Sequence, residues 1–291
     1  MGNMIINILM VFAACILLIV LYYRFHPKAF DKALAKNFKA VRDAMRKESL
    51  LGTKVLVPRE NDDPVVTYKY VPNQNDHLPV VFVLHGGAYV DGVADQIDTF
   101  CSRLKSELDA VIVNIDYTSI DVKQIPNPQN ETRDTILWYL RNFDKHRIDL
   151  ARAVLLGFGA GAHCAIGAYA LLQDYHVDLA GVVSVYPLID DSMINLIKAS
   201  LHPKKFALLA AKQDPQFDRI PVYKQYLDQA GIVYPYREYD CHNGFIEKSF
   251  PEFTEKRMFA NDPAVNEEEA EIAQAAIIHL TGILRDFMNQ S

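Results

Sequence analysis

Two glycine-rich turns, a late aspartate and a late histidine are the residues of this chain that could do chemistry. His85-Gly86-Gly87-Ala88-Tyr89 directly follows the apolar run Val80–Leu84. Adjacent glycines let the backbone approach a ligand and aim N–H groups at it. Paired N–H donors of this kind stabilise the oxyanion of a tetrahedral intermediate. Gly157-Phe158-Gly159-Ala160-Gly161 follows a second apolar run, Ala153–Leu156, and precedes a helical stretch, Ala162–Leu172. That is the strand-turn-helix context of a Gly-x-Ser-x-Gly nucleophile turn, with Gly159 in the serine slot. Asp214-Pro215 and then His242 follow, residue types that can serve as an acid and a base. Such a set performs acyl transfer through a covalent intermediate, but glycine has no Oγ with which to form one.

The fold tolerates this loss more easily than the chemistry does. A nucleophile turn holds its central residue in a strained backbone conformation, which glycine adopts without penalty. Cys164, five residues further along, and Cys241, beside His242, are the candidate substitute nucleophiles. His242 could instead activate a water in the vacated space. Asp218 is an alternative acid to Asp214.

The elements that must position these residues read as an α/β class fold. Val65–Val71 alternates and ends in a turn, Pro72-Asn73-Gln74-Asn75-Asp76. Val80–Leu84, Val111–Ile115, Ala153–Leu156, Val182–Tyr186 and Phe206–Ala210 are continuous apolar runs, as strands buried on both faces should be. A last strand is expected at Val233–Arg237. Helical patterns lie between them at Ile97–Leu108, Glu131–Asn142, Gly161–Leu172 and Val222–Ala230. The alternation predicts a mostly parallel central sheet with helices on both faces. Asn266 and Glu269 form a capping-box pattern for a final helix. The stretch between Tyr186-Pro187 and Phe206 is too short for a large lid, so residues 24–50 are the candidate cover.

Met4 to Tyr23 is an apolar run of 20 residues with Asn7 as its strongly polar interruption. At about 1.5 Å per residue it matches one hydrocarbon core of about 30 Å, and a retained single-pass membrane anchor is expected over residues 1–23. Residues 24–47 then carry eight Lys/Arg against two Asp, a local net of +6, leaving −12 for the rest of a chain whose total is −6. Phe30, Leu34, Val41 and Met45 recur at helical spacing, with Lys28, Lys32, Lys36 and Lys39 on another face. This predicts a basic amphipathic helix within 24–50, one side against the protein and the other suited to anionic headgroups. The basic flank follows the span, so the positive-inside rule puts the domain, residues 51–291, in the cytoplasm, with the lumenal or extracytoplasmic side as the alternative.

Half of the 291 residues are apolar and 23% are charged, an ordinary globular balance. The acidic net charge excludes the basic face that nucleic-acid binding requires. Cysteines 15, 101, 164 and 241 show no zinc spacing, and no metal or cofactor is expected.

These motifs together resemble the hormone-sensitive-lipase-like branch of the α/β-hydrolases, which includes carboxylesterases and arylacetamide deacetylase. The resemblance covers roughly residues 65–288. It rests on His85-Gly86-Gly87-Ala88, Asp116-Tyr117, Gly157-Phe158-Gly159-Ala160-Gly161, Asp214-Pro215 and His242-Asn243-Gly244-Phe245. It implies the α/β-hydrolase fold, an oxyanion hole from the N–H groups of Gly86, Gly87 and Ala160, and Asp214 orienting His242 as the base. The chain departs from the pattern in three places. Gly159 replaces the serine, Asn243 separates His242 from Gly244-Phe245, and Thr118-Ser119-Ile120-Asp121 replaces an arginine-containing tract. The expected function is a membrane-anchored binder of a small acyl or ester-like ligand. The alternatives are an esterase or deacetylase that uses water or has had its nucleophile engineered out, and a membrane-tethered scaffold.

Overall fold

The computed structural model describes residues 22, 24–73, 77–200, 203–250 and 265–289. The expected anchor, residues 4–23, lies outside the described residues except for Tyr22. Among the described residues no helix is long and apolar enough to cross a membrane.

Eight strands form one sheet: β1 (Thr53–Arg59), β2 (Asp62–Tyr70), β3 (Leu78–Leu84), β4 (Val111–Asp116), β5 (Ile148–Phe158), β6 (Gly181–Val185), β7 (Phe206–Ala211) and β8 (Tyr236–Tyr239). Their order is β1-β2-β4-β3-β5-β6-β7-β8. β1 and β2 pair antiparallel, as do β2 and β4, and every later pair is parallel. All seven residues of β3 are buried, because helices cover both faces at the sheet centre. Phe82 and Leu84 point to one face and Val81 and Val83 to the other, the period-two alternation of a strand.

The helices of ten residues or more are α1 (Pro27–Met45), α2 (Asp98–Leu108), α3 (Asn127–Arg141), α4 (Ala160–Gln173), α5 (Asp191–Ser200), α6 (Ile220–Gln229) and α7 (Glu267–Met288). Ile136 and Tyr139 of α3, Ile166 and Tyr169 of α4 and Tyr223 of α6 fill the first face. Phe100 and Leu104 of α2 and Ile277, Leu280 and Leu284 of α7 fill the second. Asn266 caps α7 by accepting from the Glu269 N–H at 2.9 Å, as the capping pattern requires. The last strand sits later than the apolar pattern suggests. Val233 is 91% exposed, and β8 begins at Tyr236 as a short edge strand.

Helix α1 lies against the domain through Phe38 and Met45, which are buried, while Lys28, Lys32, Lys36 and Lys39 are exposed. Three others of the eight basic residues in 24–47, outside that exposed row, are held by the domain. Arg42 forms two 2.9 Å hydrogen bonds to Asp121. Arg46 reaches both Asp95 and Asp116 at 2.7 Å, and Lys47 lies 3.6 Å from Asp98. Those acids are nearly buried, so the cations of α1 satisfy charges that the domain cannot solvate.

Burial also fixes several histidines as neutral. His85 and His163 have depressed pKa values through desolvation, and His146 is pushed down to about 4 by burial and by Lys69. The unfolded chain protonates these rings as pH falls below the usual 6.5, while the folded chain resists. Stability is therefore fully present above 6.5 and is lost downward toward the folded values. Each such group loses at most about 1.4 kcal/mol per pH unit. Urea unfolding at pH 7.5 and pH 5.0 is expected to show the loss, and His146→Gln is expected to shrink it. An unchanged urea midpoint between the two pH values would contradict neutral burial.

Candidate functional site

The loops that leave the C-terminal ends of β3, β5, β7 and β8 meet over the sheet, where open α/β sheets place their ligands. After β5 the chain turns at Gly159, with φ 51° and ψ −116°, and enters α4. The turn is clamped from both sides. The Gly159 N–H donates to the Val185 carbonyl at 3.0 Å, and the Leu188 N–H donates to the Gly159 carbonyl at 3.0 Å. A Cβ added at Gly159 would meet the Gly86 Cα at 3.8 Å, an ordinary contact, so a side chain has room there. Gly161 does not have that room, since a Cβ would sit 2.4 Å from the carbonyl oxygens of Leu84 and His85. Gly157 is packed as closely against Gly161 and Ala162. The two outer glycines of the motif thus let strand, helix and the 85–88 turn press together.

The second turn carries unusual backbone. Gly87, Ala88 and Tyr89 all have positive φ, at 104°, 47° and 68°. For the two non-glycine residues this costs of order 1–3 kcal/mol each. The conformation is held by the Val90 and Asp91 N–H groups, which donate to the Gly87 carbonyl at 2.9 and 3.0 Å. His85 supports it from behind. Its ring stacks on Tyr117 with centroids 4.3 Å apart, and its Nδ1–H donates to the Gly86 carbonyl at 2.7 Å. His85 is therefore a positioning residue for the turn.

A cavity of about 280 Å³ opens between the two turns. Gly87, Ala88, Gly159 and Ala160 line it together with Asp214 and Asn243. Asp91, Leu188, Pro215 and Gln216 complete the lining. Gly86 lies just behind the lining, facing Glu247. Ala160 is the first residue of α4, so its N–H has no acceptor within the helix.

The structure brings Gly87, Ala88, Gly159, Ala160 and Asp214 together, and it corrects the expected pairing of Asp214 with His242. Asp214 Oδ2 accepts from Asn243 Nδ2 at 2.5 Å, and its Oδ1 accepts from the Gln216 N–H at 2.7 Å. His242 turns away. Its Nδ1 lies 2.8 Å from Glu269 Oε1, and its backbone N–H donates to the same oxygen at 2.9 Å. Glu269 is fixed at the start of α7, and its carboxyl is held below the usual range by these His242 contacts, which outweigh its burial. The reason is register. Gly244 takes the left-handed φ of 75° that starts the next turn, and the residue immediately before it faces the cavity. That residue is Asn243. The signal was in the sequence, as an asparagine directly before Gly-Phe.

The substitute nucleophiles do not meet the site's needs. Cys164 is fully buried beside Thr132, and Cys164 and Cys241 are each pushed up to about 12, chiefly by burial. Neither forms thiolate near neutral pH. His163, the other buried histidine nearby, is taken up by Tyr89 Oη at 2.6 Å and by Asp190 and Ser192 at 3.2 and 3.0 Å. Among the described residues no cluster has the composition of a metal site.

Residues 81–240 match the Abhydrolase_3 family model, described as alpha/beta hydrolase fold. An esterase of Fusarium pseudograminearum (strain CS3096) is 32% identical over 89 residues. That match covers 31% of this chain and spans 28% of the relative's length. Among solved structures, the hyperthermophilic esterase of the archaeon Pyrobaculum calidifontis superimposes with a TM-score of 0.66 at 19% identity, over 89% of this chain and 93% of its own. A thermostable esterase of Pseudomonas putida ECU1011 gives 0.67 at 14% identity, over 90% and 91%. At such identities the likeness speaks for a shared fold.

Proposed function

We propose that this chain, which belongs to the alpha/beta hydrolase fold family, is a carboxylesterase-like protein that holds a small acyl or ester-like ligand without turning it over. The hydrogen bond from Asn243 to Asp214 carries the reading. It sets a carboxamide, which takes no proton near neutral pH, where a general base would stand, while Gly159 removes the attacking oxygen. Two members of the catalytic set are then missing, and the oxyanion turn, the acid and the pocket remain. Removing nucleophile or base from a serine hydrolase costs about 10⁶ in kcat. An enzyme using water in place of serine is the weaker reading, because His242 is bound to Glu269 and lies outside the lining.

Saturation-transfer NMR is expected to detect phenyl acetate bound to the intact chain, with Gly159→Leu filling the pocket and abolishing the signal. Hydrolysis of the same ester is expected to stay at the buffer rate. Rapid turnover with a covalent adduct on some other side chain would overturn the proposal.

The proposal extends to a membrane setting, with residues 4–23 as a single-pass anchor and the domain on the cytoplasmic side. The exposed row Lys28, Lys32 and Lys36 of α1, next to the apolar run, supports contact with anionic headgroups. Protease added to sealed vesicles with the cytoplasmic face outward is expected to digest the domain. Protection would reverse the orientation.

A further inference from the structure

A lysine ammonium drawn out of water normally takes a carboxylate with it. Lys69 does not. It stands on β2, opposite Val113 of β4 and Thr53 of β1, and its side chain is half-buried. Its Nζ lies 3.2 Å from His146 Nδ1 and donates to the His146 carbonyl at 3.1 Å. Among the described residues no carboxylate forms an ion pair with it. The charge beside it is Arg147, of the same sign. The rings of Trp138 and Tyr139 on α3 pack 4.9 and 4.7 Å from that of His146 and hold the imidazole in place.

Such surroundings favour the neutral amine over the ammonium. Burial first, and then Arg147, push the Lys69 pKa down to about 8. The hydrogen bonds of His146 point the same way. Its Nε2 is buried with no partner among the described residues. A hydrogen on Nε2 would be an orphaned donor. Placed on Nδ1 instead, the hydrogen faces Nζ, and only an unprotonated amine can accept it.

We infer that Lys69 is an acylation site, modified without an enzyme by small thioesters. The Nζ lone pair, turned outward on its flexible stem, attacks the thioester carbonyl carbon. The C–N bond forms, the C–S bond breaks, and the thiolate leaves with the electron pair. The nitrogen gives a proton to water, and a neutral amide remains. An ordinary lysine reacts slowly, because only about one amine in a thousand is unprotonated near neutral pH.

The test incubates the intact chain at pH 7.5 with S-acetyl-N-acetylcysteamine and reads initial acetylation rates, lysine by lysine, by peptide mass spectrometry. Lys28, Lys32 and Lys36, exposed on α1, are the internal standard. Lys69 is expected to acetylate at least about fivefold faster than any of them. In concentrated guanidinium chloride, where burial and the His146 contacts are gone, the advantage is expected to vanish. Arg147→Gln, checked for folding by circular dichroism, is expected to slow Lys69 at least about twofold by letting the ammonium persist, with the α1 lysines unchanged. A Lys69 rate in the folded chain no higher than that of the exposed lysines would overturn the inference. So would an advantage that survives unfolding, since it would come from the neighbouring sequence and not from the fold.

Discussion

Gly159→Ser combined with Asn243→His is expected to raise hydrolysis of p-nitrophenyl acetate at least about 10³-fold over the parent, while neither single substitution does so. The serine Cβ meets the Gly86 Cα at 3.8 Å, so the site accepts it without displacement. It must adopt the φ of 51° now held by glycine, at about 1–3 kcal/mol. The histidine enters beside Asp214 Oδ2, which already binds the Asn243 side chain. Alone, the new Oγ has no neighbour to take its proton. The new imidazole, alone, has no nucleophile to activate. Members of such a unit are grossly non-additive, so the gain should sit almost entirely in the pair. Gly159→Ser would suffice by itself if His242 were the base. Activity of that single variant equal to the double one would show that His242 leaves Glu269 and serves. A folded but inert double variant would show that the oxyanion turn is out of alignment.

The two central turns were legible because their chemistry is local. His85-Gly86-Gly87 and the Gly157–Gly161 motif each follow a run that could only be a buried strand, and the strands lie where those runs are. What the sequence hid is which of two adjacent residues faces inward after β8. His242 has the chemistry of a base and draws the eye. A turn fixed by the left-handed Gly244 sends it to Glu269 and presents Asn243 instead. A one-residue step in a tight turn reverses a side chain's direction, and no periodicity argument resolves that. The ion pairs of helix α1 with the domain were hidden for a different reason. Its basic residues were read against their neighbours, but their partners Asp95, Asp116 and Asp121 stand 49 to 79 positions away and are brought together only by the sheet.

That long-range contact carries the second large effect. Arg42→Met is expected to lower the unfolding free energy by about 3–5 kcal/mol, the cost of leaving a buried charge without its partner. The side chains of Arg42 and Asp121 are 11% and 9% exposed, so water screens the pair poorly. The same guanidinium also donates to the Val90 carbonyl, one residue from Asp91 and two from Ala88. Losing it therefore frees the outer edge of the strained 87–89 turn as well as the end of α1. At roughly 2–4 °C per kcal/mol for a chain of this size, the melting temperature should fall by about 10 °C. Arg42→Met with Asp121→Leu is expected to recover much of that loss, since an apolar pair of similar volume often replaces a buried ion pair at little cost. The recovered variant should still bind phenyl acetate less well than the parent, because the Val90 carbonyl has lost its donor in both. A single-variant loss below about 1 kcal/mol would give the pair the value of a surface contact. Helix α1 would then lie on the domain without holding the turn that shapes the pocket.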